Sequence, residues 1–275
     1  MKENRTLMQY FEWYLKPENK LWKKVEINAK YLNAIGITDI WLPPAYKAAG
    51  GKYDAGYAVY DLYDLGEFDQ KGSIETKYGS KDEYLQAIKE LHKNNIQVYA
   101  DIVLNHKIGA DEAETVYASQ EQNNNRNVDT TLPKKIVAWT IYNFPGRNNK
   151  YSDFKWNYEH FNGTDWDESG RKNGIFRFSG KHWDKNVDKE NGNYDYLMGA
   201  DIDFNNPEVV EELKKWGKWY LEFTGVDAFR LDAVKHIKSG FMADWIMSMR
   251  KEKEIDCVGE YWSKDLNSLK NYITM

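Results

Sequence analysis

The sequence predicts an α/β fold of the (β/α)8 TIM-barrel type, incomplete at about five βα units, with an irregular β-containing domain inserted after strand 3. Short apolar runs alternate with amphipathic helical segments, which is the pattern of parallel strands joined by crossover helices. Residues 105–205 interrupt that alternation with polar sequence rich in Asn and Gly. Charged residues also gather where the predicted strands end, which is the face on which barrel enzymes build their sites.

The first part of the barrel is expected at residues 1–104. Strands are predicted at residues 7–15, 37–42 and 96–104 from their apolar, β-branched and aromatic content. The intervening helices are expected at residues 20–35, and from Ser80, whose capping box with Glu83 marks the start, to about residue 94. The Gly- and Tyr-rich passage 45–79 is too long for an ordinary connection, so it predicts a functional loop.

The insertion is expected at residues 105–205 and the barrel continuation at residues 206–275. Aromatic and β-branched residues in 136–178 favour a folded β-containing domain over a disordered insert. After it come a helix from Asn206 to Gly225, a strand in 225–236, a helix at 239–253, a strand at 255–261 and a helix from Ser263. Without the insertion the chain falls well short of the roughly 250 residues of a closed barrel. The chain is therefore expected to stop before the barrel closes.

Composition and charge exclude several classes of protein. The 275 residues carry a net charge of −5 with both signs interspersed, so the basic stripe of a nucleic-acid-binding protein is missing. The sequence has neither a signal peptide nor a run long enough to span a membrane, which predicts a cytoplasmic protein. A mature secreted chain with an added Met would look the same. The one cysteine, Cys257, is expected to be buried in an apolar run.

A charged pair follows the central predicted strand. Arg230 and Asp232 lie two residues apart, so on a strand their side chains leave on the same face and can meet. A structural ion pair is the simpler interpretation of an isolated Arg-x-Asp. A functional role for the pair is favoured because other polar residues share this end of the sheet: Asp101 and His106 lie at the end of the preceding strand, and Glu260 lies at the end of the next one.

The two carboxylates on neighbouring strands are expected to differ in protonation. The guanidinium beside Asp232 should lower the pKa of this carboxyl and keep it ionised, which suits a nucleophile. Glu260 lies among apolar and aromatic residues in the sequence and is expected to keep its proton. This is the division of labour in a retaining glycosidase, in which a nucleophile and an acid/base flank the bond that is cleaved.

Five motifs together carry a family resemblance. They are LMQYFEWY at 7–14, DIVLNH at 101–106, YLMGADIDF at 196–204, DAFRLDAVKH at 227–236 and GEYW at 259–262. With these motifs the chain resembles the N-terminal portion of an α-amylase of the large retaining α-glucan glycoside-hydrolase family, of the bacterial liquefying or cytoplasmic type. The resemblance implies endo-hydrolysis of α-1,4-glucosidic bonds in starch, glycogen and malto-oligosaccharides by double displacement.

The resemblance also implies roles for single residues. Asp232 matches the nucleophile, Glu260 the general acid/base, and Arg230 the side chain that orients Asp232. The residues implied to contact the glucan are Trp13, Tyr57, His106, Lys235 and His236.

A structural Ca²⁺ between the barrel and the inserted domain is a further implication. The implied ligands are Asn105, Asp195, Asp201 and the backbone carbonyl of His236, a set of hard oxygens. From the residues alone, the acids at 195–203 would equally fit a solvated acidic face. Asp184 and Asp203 match a second metal cluster of the liquefying relatives. Asn162 and Asn205 stand where that cluster has carboxylates, so we expect it to be weakened or absent.

Some of the family's parts are expected beyond Met275. They are a fourth motif with a third catalytic Asp, the remaining barrel strands and a C-terminal β-domain. This fragment alone is therefore expected to be weakly active or inactive, and a complementing C-terminal segment is a candidate partner. Two other functions stay open: a non-catalytic fragment that binds glucan or calcium, and an α-glucan transglycosylase.

Overall fold

The computed structural model describes residues 4–274. The strands are, in chain order, β1 Leu7–Gln9, β2 Asp39–Leu42, β3 Lys47–Ala48, β4 Val59–Asp61, β5 Gln97–Ile102, β6 His106–Lys107, β7 Glu112–Glu121, β8 Lys134–Ile141, β9 Phe161–Asp167, β10 Lys172–Phe178, β11 Ala200–Ile202, β12 Ala228–Leu231 and β13 Asp256–Gly259. The α-helices are α1 Leu21–Ala34, α2 Lys81–Lys93, α3 Pro207–Thr224, α4 Ser239–Glu252 and α5 Leu266–Ile273. Within the described residues, none of these helices combines the length and apolar character needed to cross a bilayer.

Five parallel strands form the central sheet in the order β1-β2-β5-β12-β13. The predicted incomplete barrel is therefore confirmed, with one βα unit for each strand. Strand β1 is much shorter than the predicted 7–15. The chain leaves the sheet because the Glu12 carboxylate accepts a hydrogen bond from the backbone N–H of Tyr14 at 2.6 Å and closes a turn. This turn carries Trp13 out over the strand ends.

The helix starts follow the capping chemistry in the sequence. Ser80 Oγ accepts from the Glu83 N–H at 3.3 Å, and Glu83 Oε2 accepts from the Ser80 N–H at 3.0 Å, so the capping box is confirmed. At α3, the Asn206 side chain accepts from the Glu208 N–H at 3.0 Å. Helix α5 begins later than predicted because Asp265, not Ser263, caps it.

The insertion is a folded β-domain. Its antiparallel sheet has six strands in the order β6-β11-β9-β10-β7-β8, with bulges between several pairs. This sheet runs from His106 to Ile202, within the predicted 105–205. Its core is continuous with that of the barrel, because aromatic residues of both parts belong to one buried cluster.

The passage 45–79 is more compact than a mobile loop. Lys47 is fully buried and donates hydrogen bonds to three backbone carbonyls, those of Phe68, Ser73 and Ile74. Asp61, also buried, pairs with Arg147 of the inserted domain at 2.8 Å. These contacts fix the passage against both parts of the chain, and they position Tyr57 at the ends of the central strands.

Cys257 differs from its prediction. The thiol lies on β13, at one edge of the five-stranded sheet, and is half-buried where full burial was expected. An edge strand has a neighbour on one side only, so its side chains keep more contact with solvent.

Candidate active site

The carboxyl ends of β5, β12 and β13 bring the predicted catalytic residues together. Arg230 on β12 lies in register with Asp101 on β5. One residue beyond the strands, the Asp232 N–H donates to the Ile102 carbonyl and the Glu260 N–H donates to the Leu231 carbonyl, both at 2.9 Å. The backbone ladder therefore extends to the two acids and fixes where their side chains begin.

One guanidinium holds three carboxylates at this site. Nη1 of Arg230 donates to Asp101 at 2.8 Å and to Asp232 at 2.6 Å, and Nη2 lies 2.8 Å from a Glu260 oxygen. Arg230 is only 7% exposed, and its guanidinium lies 4.8 Å from the centre of the Trp41 ring. The predicted Arg230–Asp232 pair is present, but it is part of a four-membered network.

The protonation expected for Asp232 is wrong. Burial, followed by the negative charge of Asp101, raises the pKa of Asp232 to about 7, although Arg230 acts in the opposite direction. Burial likewise raises the pKa of Asp101 to about 6. One cation cannot neutralise three acids, so the cluster resists full ionisation. The sequence revealed the adjacent arginine but gave no sign of how deeply Asp232 lies.

Glu260 has surroundings different from the apolar ones expected. Its side chain is 34% exposed and contacts Arg230, and one of its oxygens accepts from the Ala233 N–H at 3.3 Å. Ala233 makes this contact from a left-handed conformation with φ of 50°, which is costly for a residue with a β-carbon. The turn after β12 therefore directs one backbone donor at the predicted acid/base.

A cavity of about 490 Å³ opens over these carboxylates. Its lining combines the charged cluster with aromatic and apolar side chains: Gln9, Phe11, Trp13, Trp41, Tyr57, His106, Leu197, Met198, Arg230, Asp232, Ala233, Lys235, His236, Glu260 and Trp262. All five residues predicted to contact the substrate are among them. A larger open depression of about 840 Å³ adjoins the cavity at Trp262, and loop residues 187–190 and 261–265 form most of its wall.

Tyr57 forms the aromatic side of the cavity. Its ring stacks on Trp13 with 5.3 Å between the ring centroids, and its hydroxyl donates to Asp101 at 2.8 Å. Trp13 is 59% exposed, so most of its indole surface is free to contact a ligand. Flat apolar surfaces beside polar groups suit the faces of sugar rings.

His106 is neutral at this site. Its Nε2 bonds to the Tyr57 carbonyl at 2.9 Å, so this nitrogen carries the proton and donates it. Burial lowers the pKa of His106 to about 4. At neutral pH the side chain therefore offers no charge, and it acts through hydrogen bonds alone.

Lys235 and His236 close the opposite side of the cavity. Lys235 Nζ donates to Glu190 at 2.7 Å and to the Trp262 carbonyl at 2.8 Å. The His236 ring donates from Nδ1 to the Tyr194 carbonyl at 2.6 Å, and burial lowers its pKa to about 4. These contacts tie the turn after β12 to loop 184–199 of the inserted domain.

Of the residues implied as metal ligands, Asp195 belongs to that loop, and Asp201 is joined to it through Asn162. Asn105, Asp195 and Asp201 are each buried, and the Asn162 amide donates to Asp195 at 3.5 Å and to Asp201 at 3.2 Å. Asp184 adjoins them, because its N–H donates to Asp195 at 2.8 Å. Within residues 4–274, no three His, Cys, Asp or Glu side chains converge into a metal site by themselves.

The first ligand set fits a hard cation. The Oδ1 atom of Asn105 is buried without a hydrogen-bond partner among the described residues, which is costly for a polar atom. Burial raises the pKa of both carboxyls; the negative charge of Asp184 adds to this effect at Asp195, and the negative charge of Asp195 adds to it at Asp201. An unpaired amide oxygen beside two buried carboxylates is the donor chemistry that Ca²⁺ prefers.

Comparison with known proteins identifies the family. Residues 25–275 match the alpha amylase catalytic domain. The chain belongs to the alpha-amylase family. It is 56% identical over 274 residues to the Alpha-amylase of Geobacillus stearothermophilus, 53% identical over 272 residues to that of Bacillus licheniformis, and 46% identical over 279 residues to the Cytoplasmic alpha-amylase of Escherichia coli K12. The predicted family resemblance is confirmed.

The alignment covers these relatives only in part. It includes 98% of this chain but 50%, 53% and 56% of the three relatives, so the chain spans about half of their length. Among solved structures, an alpha-amylase of Geobacillus thermoleovorans complexed with acarbose has a TM-score of 0.58 and 21% identity, over 97% of this chain and 48% of that one. This last likeness supports the α-amylase fold.

Three residues of this candidate site were given no role from the sequence. Asp101 shares Arg230 with Asp232, and the Trp41 indole N–H donates to Asp101 at 3.0 Å. Their positions at the ends of β5 and β2 were a usable signal. Glu190, the partner of Lys235, lies in an irregular loop, where the sequence has no periodicity that would locate it.

Proposed function

We propose that the protein containing this chain hydrolyses internal α-1,4-glucosidic bonds by a retaining double displacement. The observation that supports this most is the shared contact of Asp232 and Glu260 with Arg230, on the floor of an aromatic-lined cavity. Two carboxylates fixed side by side match the requirement of retaining glycosidases. The names of the bacterial relatives support the α-glucan substrate.

The first half of the reaction forms a glycosyl-enzyme. An ionised Asp232 oxygen attacks the anomeric carbon, while Glu260 transfers its proton to the glycosidic oxygen and the bond to the leaving sugar breaks. In the second half, Glu260 takes a proton from water. The resulting hydroxyl displaces the Asp232 carboxylate from the anomeric carbon, so the configuration is retained.

The other cavity residues would place the substrate. Tyr57 and Trp13 offer stacked rings for a sugar on one side of the carboxylates. Neutral His106 would act indirectly, because its Nε2 proton is donated to the Tyr57 carbonyl and holds that residue in place, and Lys235 would lie on the leaving-group side. Arg230 acts as a positioning residue, because it fixes both carboxylates before the substrate arrives.

The test is product stereochemistry. Proton NMR of the first products from a malto-oligosaccharide should show the α-anomer before mutarotation, together with internal cleavage of longer chains. A β-anomeric first product would contradict the retaining mechanism. Glucan binding without bond cleavage would favour the non-catalytic alternative, and products longer than the substrate would favour the transglycosylase.

We also propose that Asn105, Asp195, Asp201 and the His236 carbonyl hold one Ca²⁺. The unpaired Asn105 oxygen and the two buried carboxylates support this assignment. The cation would supply positive charge between the loop of the inserted domain and the turn after β12. Calorimetric titration with CaCl₂ tests the site, and absence of binding would contradict it.

A cytoplasmic location is the last part of the proposal. It is supported by the 46% identity to the Cytoplasmic alpha-amylase of Escherichia coli. Fractionation of the source cells tests this location. Recovery of the protein from the culture medium would contradict it.

A further inference from the structure

A pocket of about 260 Å³ opens beside the first turn of helix α1. We call it the α1 pocket. Its walls come from the segment 12–24 and from two residues that precede α2, and four lysines line it: Lys16, Lys20, Lys24 and Lys77. None of its lining residues belongs to the lining of the glucan cavity, so it is a separate site.

Lys77 is the buried lysine of the α1 pocket, with 8% of its surface exposed. Three other lysines are buried in the described part of the chain, and each donates a hydrogen bond: Lys47 to the Phe68 carbonyl, Lys107 to the Tyr60 carbonyl and Lys235 to Glu190. Lys77 makes neither a hydrogen bond nor an ion pair through its ammonium within residues 4–274. A buried charge without a partner is costly, so Lys77 lacks an acceptor that a bound anion would supply.

The backbone holds Lys77 in place. It lies in a tight turn in which Thr76 Oγ1 donates to the Gly79 carbonyl at 3.1 Å. The Trp22 N–H, in the first turn of α1, donates to the Tyr78 carbonyl at 3.2 Å. The turn is thus attached to the start of the helix, and the position of Lys77 is fixed before a ligand arrives.

The start of helix α1 also lacks a negative partner. No side chain caps this helix of 14 residues, and its first turn contains no acidic residue. Leu21, the first residue of α1, lines the pocket, and its N–H has no acceptor in the described part of the chain. Free N–H groups and the helix dipole both favour an anion at this end of a helix.

The charges of the pocket lining match a dianion. Lys16, Lys20 and Lys24 are exposed, and none of them forms an ion pair among residues 4–274. Two acids share the lining, Glu12 and Glu18, and the Glu12 carboxylate already accepts a backbone N–H. With four lysines and two glutamates the lining carries a net charge of +2. A phosphate group carries a charge close to −2 at neutral pH and offers several strong acceptor oxygens.

The α1 pocket has an apolar side as well. Tyr14, which is 85% exposed, and Leu15 belong to its lining. An aromatic surface beside charged groups suits the face of a sugar ring. A phosphate ester could therefore place its anion at the lysines and its sugar against Tyr14.

We propose that the α1 pocket binds a phosphate dianion, as inorganic phosphate or as the phosphate ester of a sugar, with Lys77 as the buried anchor. The site is distinct from the glucan cavity and from the proposed calcium ligands. This inference therefore rests neither on glucan hydrolysis nor on calcium binding.

The first experiment titrates the unaltered 275-residue chain with two probes. Sodium phosphate and glucose 6-phosphate are added separately at pH 7.5 and constant ionic strength, and binding is followed by calorimetry and by broadening of the phosphorus NMR signal. One anion should bind per chain. Tighter binding of glucose 6-phosphate would support the site and identify a sugar ester as its ligand, whereas equal or weaker binding would support the site with inorganic phosphate. No binding of either probe would overturn the proposal.

The second experiment removes the buried ammonium. Lys77→Met keeps the length of the side chain and should weaken phosphate binding by about 10-fold or more, because a charge-assisted hydrogen bond is lost. Lys30→Met is the matched control, since it removes one positive charge from the exposed part of the same helix, outside the pocket lining. It should leave the affinity unchanged. Equal weakening in both variants would show a general charge effect and overturn the proposal.

A third variant keeps the test independent of the folding of Lys77→Met. Lys16→Gln, Lys20→Gln and Lys24→Gln together change only exposed side chains, and this triple variant should also weaken phosphate binding by about 10-fold or more. Its control replaces three exposed lysines outside the pocket by Gln: Lys30, Lys89 and Lys251. Circular dichroism confirms that each variant is folded. Wild-type affinity in the folded pocket variant, or equal losses in the pocket variant and its control, would contradict the proposal.

Discussion

Arg230 joins the two predicted catalytic acids directly: Nη1 bonds to Asp232 at 2.6 Å and Nη2 lies 2.8 Å from Glu260. A guanidinium is planar and rigid, so its two nitrogens fix the relative position of the carboxylates that they bind. The same cation also holds Asp101 at 2.8 Å, which places a third carboxylate beside the predicted nucleophile Asp232. Each part of this network gives a measurable expectation for the protein that contains the chain.

Asp232→Asn should abolish turnover of every glucan substrate, because an amide cannot form the glycosyl-enzyme. Glu260→Gln should be selective. It should lose activity on starch, yet form the glycosyl-enzyme normally with substrates whose leaving group needs no protonation. The check is pre-steady-state kinetics with an aryl maltoside that has a good leaving group. Equal losses on starch and aryl maltoside for Glu260→Gln would contradict its role as the acid.

Arg230→Met should lower both stability and rate. It leaves three acids without their cation, and removing one partner from a buried ion pair costs about 3 to 5 kcal/mol. Arg230→Lys retains the charge but cannot bridge both carboxylates, so we expect kcat to fall by about 10²-fold through misplacement. Urea unfolding and starch hydrolysis measure the two effects. Arg171→Lys, at an exposed site, is the control and should change neither the free energy of unfolding nor the rate of hydrolysis. Wild-type turnover in Arg230→Lys would contradict the bridging role.

The raised pKa of Asp232, about 7 against an ordinary value of 3.8, predicts the acidic side of the pH profile. The nucleophile must be ionised, so kcat/KM of the free enzyme should fall as the pH drops through about 7. Burial is the largest cause of the raised pKa, and the charge of Asp101 adds to it; Asp101→Asn removes that charge, so the acidic limb should move to lower pH. An unchanged limb would show that another group controls it.

The same shift has a consequence for stability. The folded chain binds the Asp232 proton more tightly than the unfolded chain does. The stabilisation that the protonated Asp232 side chain adds to the free energy of unfolding is therefore fully present below pH about 3.8. It is lost as the pH rises through about 7. Urea unfolding of the wild type and Asp232→Asn, compared at pH 6 and pH 8, isolates this contribution. The asparagine variant should gain relative stability at the higher pH.

Trp13→Ala should weaken substrate binding and leave stability almost unchanged. Trp13 is 59% exposed and stacks on Tyr57, and aromatic stacking is worth about 0.5 to 1.5 kcal/mol. We expect KM to rise by roughly 2-fold to 12-fold, with little change in kcat. Tyr14→Ala is the matched control, because Tyr14 is 85% exposed and outside the cavity lining. Similar KM changes in both variants would argue against a specific stacking role.

Calcium removal should lower the melting temperature. A ligand that binds only the folded state stabilises it by about 2.7 kcal/mol at 100 times its dissociation constant. The proposed ligands lie on separate segments, from Asn105 to His236, so a bound ion should hold the inserted domain against the barrel. Differential scanning calorimetry with EGTA and with excess CaCl₂ measures the shift. Asn105→Ala should remove most of it, and an unchanged melting temperature on adding EGTA would contradict the site.

The sequence predicted the parallel sheet and its helices because local rules govern them. Apolar periodicity located the strands, and the caps at Ser80 and Asn206 fixed two helix starts. The two candidate catalytic acids were located for a related reason. Parallel strands end at one edge of the sheet, so Asp232 and Glu260 had to be neighbours once both strands were identified.

Only the tertiary structure decided the electrostatics of the site. Arg230 and Asp101 are 129 residues apart, and their contact at 2.8 Å appears only when β12 lies beside β5. Burial is likewise a property of the whole fold, which is why the neighbouring arginine led to the wrong direction for the pKa of Asp232. Sequence order determines which residues end each strand, whereas the charge on a buried group depends on every segment packed around it.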